Sequence, residues 1–293
     1  LVDLGMLWAG RDYAQTGDYY QHAFAIARSL EDAGLLAHSL NRVGNWHLNI
    51  DQPQEALRYH QQALAILESL DDQPGIAETL DLLGVSCYMS GNLAEGTAYY
   101  ERAVALFERL DDRHGLASSL ATMTMRSATY QSDTMVCVRA TLAESAREGE
   151  LAVQLARESG QRPAEAYARI MLAFCLGAQG DYARALEAAR AGLQITEEIV
   201  HRQWQAAAHC ALGVLYLDLL DLEAAQREIQ QALSLAREIG SMCWTRRTSG
   251  YLASTCLQQH DLTGAAAVLE AALAPDTPLV SCGQRLAWCA QAE

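Results

Sequence analysis

The sequence predicts an all-α protein built as a solenoid of about seven helical hairpins. Its 293 residues are 51% hydrophobic but only 7% aromatic and include 5 prolines, so Ala and Leu, which favour helices, supply most of the apolar content. The segment around Ala63 recurs around Ala103, at an offset of 40 residues. A fixed period of this length is typical of hairpins that bury their apolar faces only against their neighbours.

The second helix of each hairpin is marked by one small residue where two helices are expected to pack closely. Successive members are 40 residues apart, except for one step of 49 residues. The series is Ala23, Ala63, Ala103, Ala152, Gly192, Ala232 and Ala272.

The start of each second helix is marked by a capping residue, followed four positions later by a small residue. Asp and Asn side chains accept hydrogen bonds from the free N–H groups of a first helical turn. The predicted caps are Asp12, Asn92, Asp181, Asp221 and Asp261, and Pro53 takes the first helical position in the second hairpin.

The first helix of each hairpin carries a large apolar residue followed by a small one, as in Leu83-Gly84 and Leu212-Gly213. Successive hairpins are joined by segments such as Asp71-Asp72 and Asp111-Asp112, and we expect helices of roughly 15 residues. The predicted units are 1–33, 34–73, 74–113, 114–162, 163–202, 203–242 and 243–276, with a partial helix over 277–293.

These residues resemble the tetratricopeptide repeat, which implies a right-handed α-solenoid. The third unit shows the pattern as Leu80, Leu83, Gly84, Gly91-Asn92-Leu93, Gly96, Tyr100 and Ala103. The units are 40 residues long rather than the family's usual length of about 34. Such long units are similar to the arrays of polarity adaptors, bacterial signal-transduction NTPases and large transcriptional regulators.

The predicted array is irregular at two places, its ends and its fourth unit. Leu1 and Glu293 both fall inside predicted helices, so we expect either a module of a longer protein or a chain whose disordered termini are not included. The long step places nine additional residues near 131–139, and a helix is predicted over 134–158. The insertion is either a tolerated loop or a projecting docking element.

Composition and motifs exclude several functions. The 21 basic residues are all Arg and the net charge is −15, so nucleic acid and an anionic membrane are poor partners for this segment. No P-loop, H-E-x-x-H or C-x-x-C motif occurs, and we expect no cofactor and no metal. Acidic pairs such as Asp71-Asp72 recur with the repeat, which favours a structural role and a protein that is not an enzyme. No signal peptide opens the chain, and a cytoplasmic location is expected.

The resemblance implies that the first helix of each hairpin lines a concave groove that binds a peptide or a helix. The groove is expected to be polar at its N-terminal end, apolar in its middle and basic near Arg246-Arg247. The apolar middle either holds a helix or an aromatic side chain of a partner or is buried by the tight winding of the superhelix itself. The asparagines 41, 45 and 49 would form one helical stripe able to bind a peptide backbone. The candidate residues are His38, Asn41, Asn45, Asn49, Asp81, Tyr88, Met125, Ile170, Phe174, Val214 and Arg247. Trp204 and Trp244 are expected to pack between repeats.

The leading hypothesis is a non-catalytic interaction module for a protein or peptide, acting as the sensor or scaffold arm of a larger bacterial regulator. Contact with domains outside this chain is part of that hypothesis. One alternative is a free-standing adaptor with the same groove. The other is a small-molecule site inside the superhelix, formed around Asn45, Asp81 and Arg126.

Overall fold

The computed structural model describes residues 1–127, 139–275 and 277–293, and these residues form α-helices without any strand. The helices are α1 (Val2–Trp8), α2 (Tyr13–Ala27), α3 (Ala33–Asn49), α4 (Pro53–Ser69), α5 (Gln73–Met89), α6 (Leu93–Leu110), α7 (Arg113–Met123), α8 (Leu142–Glu158), α9 (Arg162–Ala178), α10 (Tyr182–Glu198), α11 (Arg202–Asp218), α12 (Leu222–Glu238), α13 (Met242–Gln258), α14 (Leu262–Ala272) and α15 (Cys282–Ala292). A short 3-10 helix, Thr124–Arg126, follows α7. The all-α solenoid is therefore confirmed.

The predicted capping side chains accept hydrogen bonds at the start of the second helices. Asp12 accepts hydrogen bonds from the backbone N–H groups of Ala14 and Gln15, at 2.9 and 3.0 Å. The same type of contact is made by Asn92, Asp181, Asp221 and Asp261. Each contact satisfies N–H groups that have no partner within the helix.

The helices are longer than predicted and continue further into the joins between hairpins. Most helices have 17 residues, two more than the expected 15. After α4, Asp71 takes a left-handed backbone conformation with φ of 55°, and Asp72 caps α5 through the N–H of Gly75. A single left-handed residue ends one helix, and the next residue begins another.

Close helix packing explains the small residues of the repeat pattern. The small residues of the second helices, from Ala23 to Ala272, are buried. In the third hairpin the Tyr100 ring lies directly on Gly84, where a Cβ atom would approach the ring to 2.5 Å. The pattern therefore marks the positions at which the helices of a hairpin touch.

The helix predicted over 134–158 begins later, so the prediction of a projecting helix is wrong for its described part. Residues 139–141 are not helical, and α8 starts at Leu142. Thr141 ends the loop because it forms a capping box with Glu144, in which each side chain bonds the other residue's backbone N–H. The remaining residues of the predicted insertion, 131–138, lie outside the described residues.

The superhelix closes on itself, so the first two hairpins touch the sixth and seventh. The Tyr13 N–H donates to the Ile239 carbonyl at 2.9 Å, and the Gln203 N–H donates to the Gly10 carbonyl at 3.1 Å. Arg246 on α13 forms an ion pair with Asp51, which follows α3. We call this set of contacts the seam.

None of the described helices combines the length and apolar character needed to cross a membrane.

Candidate functional site

Closure at the seam leaves a cavity of about 340 Å³ inside the superhelix, which we call the central cavity. Its walls come from the first helices of successive hairpins, α3, α5, α7, α9, α11 and α13, and from α2 and α6. A cavity of this size, with mixed apolar and polar walls, is typical of ligand sites in proteins. Its formation needs hairpins that are far apart in the sequence.

Aromatic side chains dominate the walls of the central cavity. The ring centres of Tyr167 and Trp204 lie 4.6 Å apart, and those of His201 and Trp204, which stack, lie 5.4 Å apart. The aromatic members are Tyr13, Tyr20, Trp46, Tyr100, Tyr167, Trp204 and Trp244, which are seven of the 20 Phe, Trp and Tyr residues in the chain. Such a concentration favours a ligand with an apolar or cationic group.

Asp81 is the only carboxylate among the described residues that line the central cavity. Its Oδ1 accepts a hydrogen bond from the Ser119 hydroxyl at 2.6 Å. Burial raises the pKa of Asp81 to about 7, and the nearby Glu78 carboxylate raises it further, while the Ser119 hydrogen bond acts in the opposite direction. The side chain is therefore able to change its charge near neutral pH.

Arg247 of α13 also forms part of the cavity wall. Its Nη2 donates to the Cys282 sulfur at 2.8 Å and to the Met89 sulfur at 3.4 Å. Its guanidinium carbon lies 5.1 Å from the centre of the Trp244 ring. These contacts hold Arg247 at the seam, between the third hairpin and α15.

A second cavity, of about 480 Å³, adjoins the central cavity and shares Asp81, Leu82, His114 and Ser118 with it. We call it the acidic vestibule, because Asp72, Glu78, Asp81 and Asp112 all line it. His38 lies here, 3.7 Å from Asp72.

The predicted groove residues divide into two groups. Asn45, Asn49, Asp81, Met125 and Arg247 line the central cavity, and His38 lines the acidic vestibule. Asn49 reaches across the seam, where its Oδ1 accepts a hydrogen bond from Gln203 at 3.0 Å. The structure thus brings these six residues into two adjoining spaces.

Asn41 does not line either cavity, so only two of the three asparagines in the predicted stripe face the central cavity. The side chain is 0% exposed and donates to the Thr79 hydroxyl at 2.7 Å. Its Oδ1 lies 3.2 Å from His60 Nδ1. Asn41 therefore links the second and third hairpins and is not available to a ligand.

Four apolar candidates are also buried, because each packs inside the repeat stack. Tyr88 lies on Gly96 of its own hairpin and 5.2 Å from Tyr100, and Ile170 lies on Gly192 of its own hairpin. Phe174 and Val214 are in the same core cluster. The expected apolar middle of an open groove is thus self-packed.

Several lining residues were not predicted as site residues. Trp204 and Trp244 pack between repeats, Trp204 against Tyr167 of the preceding hairpin, and both also line the central cavity. Trp46 does as well, with its indole N–H donating to the Tyr13 carbonyl at 2.8 Å. Clustering of aromatic residues on the first helices was the available signal.

The alternative small-molecule site is formed only in part. Asn45 and Asp81 share the central cavity, but Arg126 forms an ion pair with Glu148 at 2.6 Å and does not line it. Among the described residues no cluster of His, Cys, Asp or Glu could hold a metal ion.

The closed stack of antiparallel hairpins with a ligand-sized interior defines the class as a helical-repeat solenoid. Residues 5–69 match the family model of the tetratricopeptide repeat. The match covers the first two hairpins, and the later hairpins of the described chain repeat their geometry, which supports a tetratricopeptide-repeat array. No curated protein sequence matches the chain.

Solved structures share the fold at low sequence identity. The Rap protein complexed with competence and sporulation factor gives a TM-score of 0.71 at 16% identity, covering 89% of this chain and 69% of that chain. The Rap conjugation gene regulator of plasmid pLS20, in complex with the Phr* peptide, gives 0.70 at 14% identity, covering 96% and 70%. A STAND protein with a tetratricopeptide repeat sensor from Pyrococcus horikoshii gives 0.59 at 13% identity, covering 95% of this chain and 41% of that chain.

Proposed function

We propose that this chain is a non-catalytic interaction module that binds a peptide in the central cavity. The observation that carries the proposal is the cavity itself, which is built from six first helices and lined by both aromatic rings and amides. The Asn45 side chain can bond a peptide backbone, and the aromatic rings can hold its side chains. Asn49 instead supports the wall, because Gln203 donates to its Oδ1 and its Nδ2 donates to the Asn45 carbonyl. Two structurally similar proteins are described as complexes with a signalling factor or a peptide, which supports this ligand class.

Filling the cavity tests the proposal. Ala164 lines the central cavity near the start of α9, so Ala164→Trp places an indole in the ligand's space. Ala14→Trp, at an exposed position on α2, is the matched control. We expect peptides selected from a random display library on the parent chain to bind the Ala14→Trp variant equally well and to lose binding to the Ala164→Trp variant. Equal binding by both variants would exclude the central cavity as the peptide site.

We further propose that the module is the sensor arm of a larger regulator. The similarity to an array described as the sensor of a STAND protein supports this role. The test is the natural gene: an adjoining NTPase or DNA-binding domain would support a sensor arm. A gene that encodes only the repeats would instead favour the free-standing adaptor.

A cytoplasmic location accompanies this proposal. The seven cysteines within the described residues are free, and six of them are buried. Free thiols of this kind are typical of a reducing compartment. Fractionation of the natural host cells, with detection by an antibody against the chain, tests the location.

A further inference from the structure

The acidic vestibule and the central cavity meet at Asp81, and this position suggests what part of a ligand binds there. Ser119 is the one described side chain that hydrogen-bonds Asp81, and no described Arg forms an ion pair with it. Its second oxygen, Oδ2, has no hydrogen-bond partner among the described residues. A carboxylate at the junction of two cavities is thus left with acceptor capacity for a ligand.

A second polar group next to Asp81 also lacks a partner. The Tyr100 hydroxyl is buried at the cavity wall and makes no hydrogen bond of normal geometry with any described residue. Burial raises the pKa of Tyr100 well above its ordinary value, the nearby Asp81 carboxylate raises it further, and the neighbouring Thr122 hydroxyl lowers it. The Thr122 hydroxyl itself donates to the Ser118 carbonyl at 3.1 Å and lies 2.9 Å from the Tyr167 hydroxyl. An unsatisfied buried hydroxyl is costly, and a ligand that donates a hydrogen bond to it removes that cost.

The aromatic walls suit a positive charge at this point. Tyr100 and Tyr167 both lie within electrostatic range of the Asp81 carboxylate, and Trp204 packs against Tyr167. The faces of aromatic rings attract a cation most strongly where water is excluded. An anionic group would instead be repelled by the Asp81 carboxylate and by the negative faces of the rings.

The acidic vestibule adds further negative charge near Asp81. Asp72, Glu78 and Asp112 line it together with Asp81, while its two histidines are His38 and His114. Arg42 pairs with Glu78 and offsets one of the four carboxylates. A space lined by an excess of one charge concentrates ligands of the opposite charge.

The cationic residue of the central cavity, Arg247, lies within electrostatic range of Tyr167 but is held by partners of its own. Arg247 is held against Cys282, Met89 and the Trp244 ring at the seam. Asp81, in contrast, faces both the central cavity and the acidic vestibule.

We propose that Asp81 and the Tyr100 hydroxyl bind a primary ammonium group of the ligand, such as a lysine side chain, which reaches the central cavity through the acidic vestibule. This inference rests on the proposed peptide function and adds the chemistry of the ligand. The ammonium donates to Asp81 Oδ2 and to the Tyr100 oxygen, and the rings of Tyr100, Tyr167 and Trp204 surround it.

Three peptide pools test the assignment. They are acetylated and amidated hexapeptides with one fixed residue, lysine, norleucine or glutamate, and random neutral residues elsewhere. Trp46, Trp204 and Trp244 line the cavity, so their fluorescence reports binding to the full chain. We expect the lysine pool to bind about tenfold more tightly than the norleucine pool, which is the effect of one charged hydrogen bond. The glutamate pool should bind most weakly.

Two variants assign the effect to the site. Asp81→Asn keeps an oxygen for the Ser119 hydroxyl and should reduce the affinity for the lysine pool to that for the norleucine pool. Tyr100→Phe removes only the hydroxyl and should weaken the lysine pool about threefold, without affecting the norleucine pool. Asp18→Asn, at an exposed position on α2, removes the same charge elsewhere and should change neither affinity.

The outcomes separate this inference from the proposed function. Equal binding of the lysine and norleucine pools overturns the ammonium site and leaves peptide binding intact. An Asp81→Asn variant that keeps the lysine preference also overturns it. If no pool binds, hexylammonium and hexanol are titrated in the same assay: tighter binding of hexylammonium, lost in Asp81→Asn, supports the ammonium site and contradicts the peptide function. Failure of both probes contradicts both proposals.

Discussion

Asp51 forms an ion pair with Arg246, which lies 195 positions further along the chain. Gln284 donates to the same carboxylate at 3.1 Å. Asp51 lies in the turn after α3, with φ of 66°, and only 1% of its side chain is exposed. One carboxylate therefore joins the second hairpin to α13 and α15 and holds the seam closed.

Removing Arg246 is expected to destabilise the chain, because Asp51 would remain buried without its charge partner. We expect Arg246→Ala to lower the free energy of unfolding by about 2–4 kcal/mol, measured by urea titration. Arg58→Ala breaks an exposed ion pair with Glu55 and should cost less than about 1 kcal/mol. Similar losses in the two variants would contradict a structural role for the seam ion pair.

The raised pKa of Asp81 gives stability a defined dependence on pH. Its pKa is about 7 in the folded chain against 3.8 for an ordinary Asp, so the folded state keeps a proton that the unfolded state releases between these values. The free energy of unfolding contributed by this group therefore falls as the pH rises from about 4 to 7, and is constant above that range. Asp81→Asn should lose less thermal stability than the parent between pH 5 and pH 8. An unchanged pH profile in this variant, matching that of Asp18→Asn, would show that Asp81 titrates normally.

Gly84 is expected to tolerate no side chain, because the Tyr100 ring occupies the space. A Cβ atom there would lie 2.5 Å from the ring, so Gly84→Ala should cost about 1–3 kcal/mol of folding stability. At Gly34, in the first turn of α3, the nearest atom to an added Cβ is 3.5 Å away. Gly34→Ala should therefore be neutral or stabilising by up to about 1 kcal/mol. Thermal unfolding of the two variants measures the contrast, which would vanish if Tyr100 could move aside.

Asn41 and Asn45 are one helical turn apart but should respond differently to substitution. Asn41→Ala leaves the Thr79 hydroxyl and His60 Nδ1 without their shared partner and should cost about 1–3 kcal/mol of stability. Asn45→Ala should leave stability nearly unchanged and weaken binding of the peptide pools. Chemical denaturation and tryptophan fluorescence together check both effects. If Asn41→Ala instead weakened peptide binding and left stability unchanged, Asn41 would face the ligand, as the predicted asparagine stripe requires.

The repeat could be predicted because its signals are local. Caps such as Asp12 and small residues such as Gly84 act on neighbours within the same hairpin, and they recur with the period. The helix that follows the insertion is shorter than the sequence predicts, because Thr141 and Glu144 form a capping box that starts α8 at Leu142. That signal lies in the sequence as a Thr followed by a Glu three positions later.

The site was only partly predictable because it depends on how far each hairpin rotates relative to the previous one. The position of Phe174 on its helix resembles that of a groove residue, yet a tightly wound stack buries it. Conversely, Trp204 faces the first hairpins only because the superhelix closes. The sequence of a single hairpin does not indicate whether the superhelix closes.

The seam also fixes how many repeats can lie between Asp51 and Arg246. Arg246 is the partner of Asp51 because the seventh hairpin returns to the second. Inserting one unit between them would bring the equivalent position of the sixth hairpin, Ala206, to Asp51, and deleting one would bring Leu286. Neither residue can neutralise a buried carboxylate. Evolution by duplication or loss of single repeats, which open solenoids accommodate, would here open the ring and remove the cavity.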